Sequence, residues 1–510
     1  MHFLVCLFVF SYNVKNSFDM KYIKIIVILF FSLFSCSKDD AGVDNPVPDN
    51  SIYVTSISLT GTDITAGTTS QMSVTVLPTN ATNKTLSWKS SDISIAEISS
   101  TGLITAKKNG TVKLTVTAAD KGTVFAAKNI VISSFAVTPT YDHVVSNATE
   151  LLSALTKVKP GETLFLNGGT YVMNSKISLS ASGTSGNEIN ILGQTEGTRA
   201  KLDFSAMPEN SANQGIVLSG NYWHIKGIDI YNAGDNGIQV KGNNNIIEFC
   251  TFSECSDTGL QIDNGASNNT ILNCDSYFNA DSTLENADGF ACKLSAGTGN
   301  KFIGCRAWQN LDDGWDGYLR GTDNITTTYT NCWAIKNGYL KNGTIGAGDG
   351  NGFKTGGSDL KDLKHNAIYK NCIAAGNVAD GFDHNSNRGN VEIYNCSAYS
   401  NGTNYNFSST NPLAKLTVKN SCFLGAFGSV LATVVDVTNN SWQNGLVTDA
   451  SDFESIDISQ LIKARKADGS LPDVTFMKLK ATSDLIDKGV VIEGIPYLGT
   501  APDIGAFELK

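Results

Sequence analysis

Gly304-Cys305-Arg306-Ala307-Trp308-Gln309-Asn310-Leu311-Asp312-Asp313-Gly314-Trp315-Asp316 decides the fold, because each of its features recurs in register along the chain. Cys305 belongs to a column of Cys250, Cys274, Cys305, Cys332, Cys372 and Cys396. Two residues later stand Phe252, Ser276, Ala307, Ala334, Ala374 and Ala398, and five residues later Cys255, Asn279, Asn310, Asn337, Asn377 and Asn401. Three residues before come Ile247, Ile271, Phe302, Tyr329, Tyr369 and Ile393. Cysteine spacings of 24, 31, 27, 40 and 24 describe a coil of about two dozen residues, with loops inserted at a corner wherever the spacing lengthens. Three short strands per coil make a right-handed parallel β-helix, whose coils stack at roughly 4.8 Å so that equivalent residues form ladders. The asparagine column reads as a buried, structural amide ladder. The cysteines, stacked as small core residues, read as free buried thiols.

Each coil also carries a polar–Gly–apolar step: Asn236-Gly237-Ile238, Thr258-Gly259-Leu260, Asp288-Gly289-Phe290, Asp313-Gly314-Trp315, Asn351-Gly352-Phe353 and Asp380-Gly381-Phe382. The glycine permits a corner and the apolar residue points inward. Strand alternation then turns the next residue outward, giving Gln239, Gln261, Ala291, Asp316, Lys354 and Asp383. The two polar columns form a small exposed patch of Asp288, Asp312, Asp313 and Asp316, with Lys354 one rung beyond. Four carboxylates this close repel one another and call for a cation, and an oxygen-only donor set suits Ca²⁺ rather than zinc. Asp-Gly is also ordinary turn chemistry, which covers Asp380 and Asp383 unless they support Lys354. Spacing alone leaves Lys354 open between a surface lysine, a salt-bridge partner of Asp316 and a base.

The segments Ala287-Asp288-Gly289-Phe290-Ala291-Cys292-Lys293, Gly304 to Asn310, Asp312-Asp313-Gly314-Trp315-Asp316, Asn351-Gly352-Phe353-Lys354-Thr355-Gly356-Gly357 and Ala501-Pro502-Asp503-Ile504-Gly505-Ala506-Phe507 resemble polysaccharide lyase family 9. The resemblance spans roughly 145–510. It implies a pectate lyase in which Asp288, Asp312, Asp313 and Asp316 bind Ca²⁺ and Lys354 is the catalytic base. Its implied substrates are galacturonate-containing pectic polysaccharides, homogalacturonan or rhamnogalacturonan I, cleaved by β-elimination. Gly317 departs from the family pattern, where a larger apolar residue often follows the last aspartate, and puts substrate fit in question. Lys293, Arg306, Arg320 and Arg388 are candidates for binding substrate carboxylates, or else solvated surface charges.

Two rival readings have different chemistry. A β-helical polygalacturonase would hydrolyse with paired carboxylates, which Asp312-Asp313 could imitate. The Gly-His-Gly and Arg-Ile-Lys-like motifs of such enzymes are missing around His143, His224, His365 and His384. A non-catalytic, calcium-dependent glycan-binding surface protein would have no need of Lys354.

Upstream, Leu77-Pro78-Thr79-Asn80-Ala81-Thr82-Asn83-Lys84, Trp88-Lys89-Ser90-Ser91-Asp92 and Gly102-Leu103-Ile104-Thr105-Ala106 resemble a bacterial immunoglobulin-like domain of group 2. Short strands are expected over 54–59, 71–76, 85–88, 96–98 and 112–116. The fold class is thus all-β, with a small immunoglobulin-like sandwich over 51–136 and a β-helix over 137–510. Residues 1–35 read as a leader, in which 1–19 reflect a mis-assigned start and 20–35 a lipoprotein signal. Leu33-Phe34-Ser35-Cys36 resembles a lipobox, which implies lipidation of Cys36, and 36–50 read as a tether. Ser37-Lys38-Asp39-Asp40 resembles a surface-export signal, so the expected location is the outer membrane, facing outward, with the lipid as the sole membrane contact; the alternative is a plain secretory signal and a secreted protein. A formal net charge of −10 argues against nucleic acid as a partner.

Overall fold

The computed structural model describes residues 50–120, 122–135 and 140–509. The leader, Cys36 and the tether up to residue 49 lie outside the described residues. The chain divides into two compact units, Met1–Thr138 and Pro139–Lys510.

The first unit is built from antiparallel pairs. Ser56–Thr60 pairs with Ser73–Leu77, and Leu103–Ala106 lies between Thr69–Gln71 and Ala96–Ile98. Gly110–Ala118 lies between Leu86–Ser90 and Phe125–Ile132. Alternation along the long central strand buries Val112, Leu114, Val116 and Ala118. The strand Phe125–Ile132, not among those expected, completes this sheet. Its alternation is weakly hydrophobic, with Ala126, Lys128 and Asn129 among its members, so it left little signal.

The second unit is the β-helix: three parallel sheets of twelve, ten and ten strands, each strand pairing with its counterpart one coil later. The first sheet runs from His143–Val145 to Val434–Thr438, the second from Gly169–Val172 to Cys422–Leu424, and the third from Ile177–Leu179 to Gly428–Val430. At its N-terminal end sits the helix Ala148–Leu155, capped by the Asn147 side chain on Glu150 N, which buries Leu151 and Ala154. No helical pattern was expected there; one short amphipathic helix covers the end of a stack that would otherwise present its apolar interior.

All nine cysteines of this unit are buried and unpaired. The residue before each of the six cysteines of the repeating column turns the corner from the first sheet to the second in left-handed conformation, with φ of 53° at Asn273, 54° at Asn331 and Asn371, and 50° at Asn395. The amide ladder is continuous: Nδ2 of Asn279, Asn310, Asn337 and Asn377 each donates to Oδ1 of the next asparagine at 2.8–3.0 Å. This explains the recurring glycines differently from the expected corner role. A Cβ on Gly314 would lie 2.6 Å from Gly352 O and 2.7 Å from Asn337 Nδ2, so the step needs an absent side chain to let the ladder pass.

The last sixty or so residues leave the coil and lie along the outside of the second sheet. There Phe453, Leu461, Val474 and Phe476 cover the outward-facing Trp308, Trp333, Ile335 and Ile373. Arg306 belongs to this seam. It is 2% exposed, grips Asp275 through Nε and Nη2 at 2.9 and 2.7 Å, and donates to the carbonyls of Leu461 and Lys463. Arg465 reaches back from the tail to the same Asp275 at 2.6 Å. Arg306 is therefore a tie between coil and tail and not a group for substrate carboxylates, as the sequence had left open.

Candidate active site

The third sheet carries the candidate residues. Inside it, Phe290, Trp315, Phe353 and Phe382 stack ring on ring, at centroid separations of 5.1, 4.8 and 5.1 Å. This column fixes the rungs, and alternation turns the following residues outward in strict register: Ala291 beside Asp316, Asp316 beside Lys354, Lys354 beside Asp383.

A second column stands just ahead of these strands. Asp288 Oδ1 accepts from Asp313 N at 3.2 Å, Asp313 Oδ1 from Asn351 N at 2.8 Å, and Asn351 Oδ1 from Asp380 N at 3.1 Å. Each side chain thus caps the backbone of the next rung with one oxygen, which locks its rotamer. For the two acids the other oxygen is left for the site. Asp288 Oδ2 accepts from Lys293 Nζ at 2.6 Å and from Thr258 Oγ1 at 3.1 Å. Asp313 Oδ2 lies 3.1 Å from Lys354 Nζ but accepts no hydrogen bond. Asp312, with φ of 149°, holds a backbone conformation that non-glycine residues rarely adopt, and its Oδ1 accepts from Asp349 N at 2.7 Å.

Carboxylate oxygens of Asp288, Asp312 and Asp313 come within 4.8 Å of one another. Asp316 stands beside this trio with its oxygens turned to the lysines, 3.4 Å from Lys293 and 4.0 Å from Lys354. Lys354 Nζ also lies 3.1 Å from Asp349 Oδ2. Asp349 was missed at the sequence level because it sits in the long Cys332–Cys372 insertion, where no repeat position could be assigned.

That insertion also corrects the expected exposure of the patch. Asp288 and Asp313 are 0% exposed, Asp316 5% and Lys354 8%. The insertion folds back over the acids: Ala347 N donates to Leu284 O at 2.8 Å, Asp349 N to Asp312, and Gly346 packs on Leu311. Gly317 finds its reason behind the site. A Cβ there would lie 2.9 Å from His365 Nδ1 and from Thr355 O. The buried His365 bridges Gly317 O and Thr327 Oγ1 at 2.8 Å each, so it braces the backbone that follows Asp316.

Burial, then the charge of Asp312, pushes the Asp313 carboxyl well above its usual range. Burial, then Asp288, pushes Asp312 up to about 7. Asp316 goes the other way, since Lys354 and Lys293 outweigh its burial and hold it low. Burial opposes the Lys354 ammonium, yet Asp313, Asp316, Asp312 and Asp349 together hold its proton well above the ordinary lysine range. Three convergent carboxylates, all oxygen donors, one of them with a buried oxygen lacking any hydrogen bond, fit a hard divalent cation such as Ca²⁺.

A pH dependence follows. Acids whose folded pKa is raised contribute stability that is complete below their unfolded value, near 3.9, and is lost as pH climbs through the folded one. Asp312 has a folded value of about 7, and Asp257 and Asp383 are pushed up to about 6 by burial. Asp316, held low, contributes fully throughout that window. Thermal unfolding in chelator is therefore expected to move to lower temperature from pH 5 to pH 8, and calcium to reverse this most at pH 8. A midpoint in chelator that stays level or rises would contradict the electrostatics.

Of the remaining cations proposed from sequence, Lys293 is engaged with Asp288 and Asp316, and Arg320 is exposed and pairs with Asp359 at 3.3 Å. Arg388 lies on the corner after the third sheet.

Residues 135–420 match the family model described as "Pel9A-like, right handed beta helix region", and residues 53–129 match that of the bacterial Ig-like domain (group 2). The chain is 39% identical over 369 residues to pectate lyase L of Dickeya dadantii (strain 3937), an alignment covering 70% of this chain and 84% of that one. Its fold is similar to the crystal structure of pectate lyase Pel9A, with 37% identity and a TM-score of 0.64, covering 70% of this chain and 90% of that one. A structure titled rhamnogalacturonan lyase is similar at 26% identity and a TM-score of 0.60, covering 66% and 97%.

Proposed function

Since the chain belongs to the Pel9A-like right-handed β-helix family and is a polysaccharide lyase, we propose that it is a calcium-dependent pectate lyase that cleaves polygalacturonate by β-elimination, with Lys354 as the base. The observation that carries this reading is the placement of a buried lysine in register with one aspartate and within 3.1 Å of another, at the edge of a three-carboxylate cluster.

A uronate has its most acidic carbon-bound proton at C5, beside the carboxylate. In the proposed reaction the unprotonated Lys354 Nζ removes that proton, the electrons form the C4–C5 double bond, and the C4–O bond breaks, leaving an unsaturated chain end on one fragment while the departing oxygen takes a proton from water and becomes the reducing-end hydroxyl of the other. Asp288, Asp312 and Asp313 would hold the cation, with Asp316 adjacent to complete the set. Calcium bound there supplies positive charge for the uronate carboxylate and for the acids that otherwise hold the Lys354 proton. Asp349 and Asp316 orient the amine from two sides. Because the amine must be unprotonated, turnover is expected to rise on the alkaline side of neutrality.

The same elimination on rhamnogalacturonan I is the second reading, supported by the likeness to a rhamnogalacturonan lyase. Ultraviolet absorbance of the conjugated product decides between them. We expect it to grow on polygalacturonate with calcium at alkaline pH and to stop with a chelator. Growth on rhamnogalacturonan I alone would shift the substrate, and absorbance on neither would overturn the reading.

A further inference from the structure

Beyond the cleavage site, the corner that follows the third sheet carries a concentration of cations that no part of the reaction uses. Lys361, Lys364 and Arg388 line one concavity of about 480 Å³, together with Asn411, Pro412 and Thr433. The position follows from the coil. Lys361 and Lys364 come after the strand Phe353–Lys354, Arg388 after Asp380–Asp383, Asn411 and Pro412 after Thr403–Phe407, and Thr433 after Gly428–Val430. These are four consecutive strands of the third sheet. The concavity therefore starts on the rung of Lys354 and extends three rungs toward the C-terminus, roughly 14 Å at the usual strand spacing.

Its three cations outnumber the nearby acids, which are Asp362 within it and Asp323, whose Oδ1 accepts from Lys364 N at 2.7 Å. The chain has a formal net charge of −10, and many of its lysines are paired, among them Lys107, Lys226, Lys341, Lys419 and Lys466. Among the described residues, none of Lys361, Lys364 and Arg388 makes an ion pair. Asp362 lines the same concavity, but its Oδ1 lies 3.2 Å from Ser358 Oγ, within the chain's own turn. Lys361 and Lys364 are exposed and Arg388 half-buried, so their charged ends are available to a ligand. Asn411 and Thr433 add neutral hydrogen-bonding groups of the kind that meet sugar hydroxyls.

We propose that this concavity is a distal subsite that binds the carboxylates of consecutive uronates in the polymer strand running past the cleavage site. The inference rests on the reading of the substrate as a polyuronate and extends it. Cations on two adjacent rungs, Lys361 and Lys364 on one and Arg388 on the next, favour a polymer with a carboxylate on every sugar over one with a carboxylate on every second sugar. The subsite thus contributes affinity for long homogalacturonan and leaves the chemical step untouched.

The test uses the full chain with Lys361→Gln, Lys364→Gln and Arg388→Gln combined. Exposed ion pairs contribute modestly each, so three together are expected to raise KM for long polygalacturonate about tenfold, with kcat unchanged and cleavage of trigalacturonate unaffected. Titration calorimetry of polygalacturonate into the slowly cleaving Lys354→Ala protein in brief runs, with and without the three changes, is expected to show the same tenfold loss and a weaker dependence on salt. An unchanged KM and an unchanged binding constant would overturn the subsite while leaving the lyase reading intact. Charge-dependent binding in a protein that releases no unsaturated product would do the reverse.

Discussion

Replacing Lys354 with alanine is expected to lower kcat on polygalacturonate by about 10²–10⁴-fold, the usual worth of a positioned base, while calcium affinity changes little. The separation between the two measurements comes from geometry. Lys354 touches the acid cluster through Asp313 Oδ2 and the neighbouring Asp349 through its Oδ2, but the cluster's own shape is held by Asp288 Oδ1 on Asp313 N and Asp313 Oδ1 on Asn351 N. Those bonds survive the substitution. The buried Asp313 oxygen does lose its counter-charge, so the variant should unfold more readily in chelator and recover with calcium. Product formation by ultraviolet absorbance and calcium binding by calorimetry check the two halves separately. Turnover near the native rate would mean that another group takes the C5 proton.

Asp313→Asn probes the other side of the same contact. An amide retains an oxygen to accept from Asn351 N, so the rung keeps its place, but the central charge of the cluster is gone. It also turns an N–H toward Lys354 Nζ, where a carboxylate oxygen stood at 3.1 Å. Calcium affinity depends steeply on the number of charged ligands. We expect it to fall by about a hundredfold or more, and activity at low calcium to vanish and return partly at high calcium. Calcium titrations of activity and of thermal unfolding would both show the shift. An unaltered affinity would remove Asp313 from the ligand set.

What the sequence made legible was whatever repeats. The cysteine and asparagine columns recur once per coil, and a parallel β-helix puts equivalent residues one strand spacing apart, so the amide ladder and the register of Asp316 with Lys354 could be read from spacing. What does not repeat was hidden. The partners of Arg306 are Asp275 and the carbonyls of Leu461 and Lys463, far apart in the chain, so a buried tie looked like any arginine on an outer face. The insertion carrying Asp349 has no counterpart in neighbouring coils, which is why burial of the acids was missed. The glycines were noticed but read for the wrong property. Backbone freedom and missing volume leave the same letter in the sequence, and only the distance from Gly314 to the ladder distinguishes them.

The tail along the second sheet changes how the whole coil comes apart. A stack whose coils touch only their neighbours can open from an end, one rung at a time, each step lowering the barrier to the next. Here Arg465 holds the rung of Asp275, Leu461 and Phe476 help cover the rungs of Trp308, Trp333 and Ile373, and Ala506 N donates to Ser397 Oγ at 2.9 Å. One continuous segment thereby links the rungs from Asp275 to Cys422, so none of them can fray without peeling away a strap shared by the others. The coils that carry the acids and the lysine lie within that span. The gain is in lifetime: local openings that would admit a protease are replaced by a rarer event that must involve many coils at once.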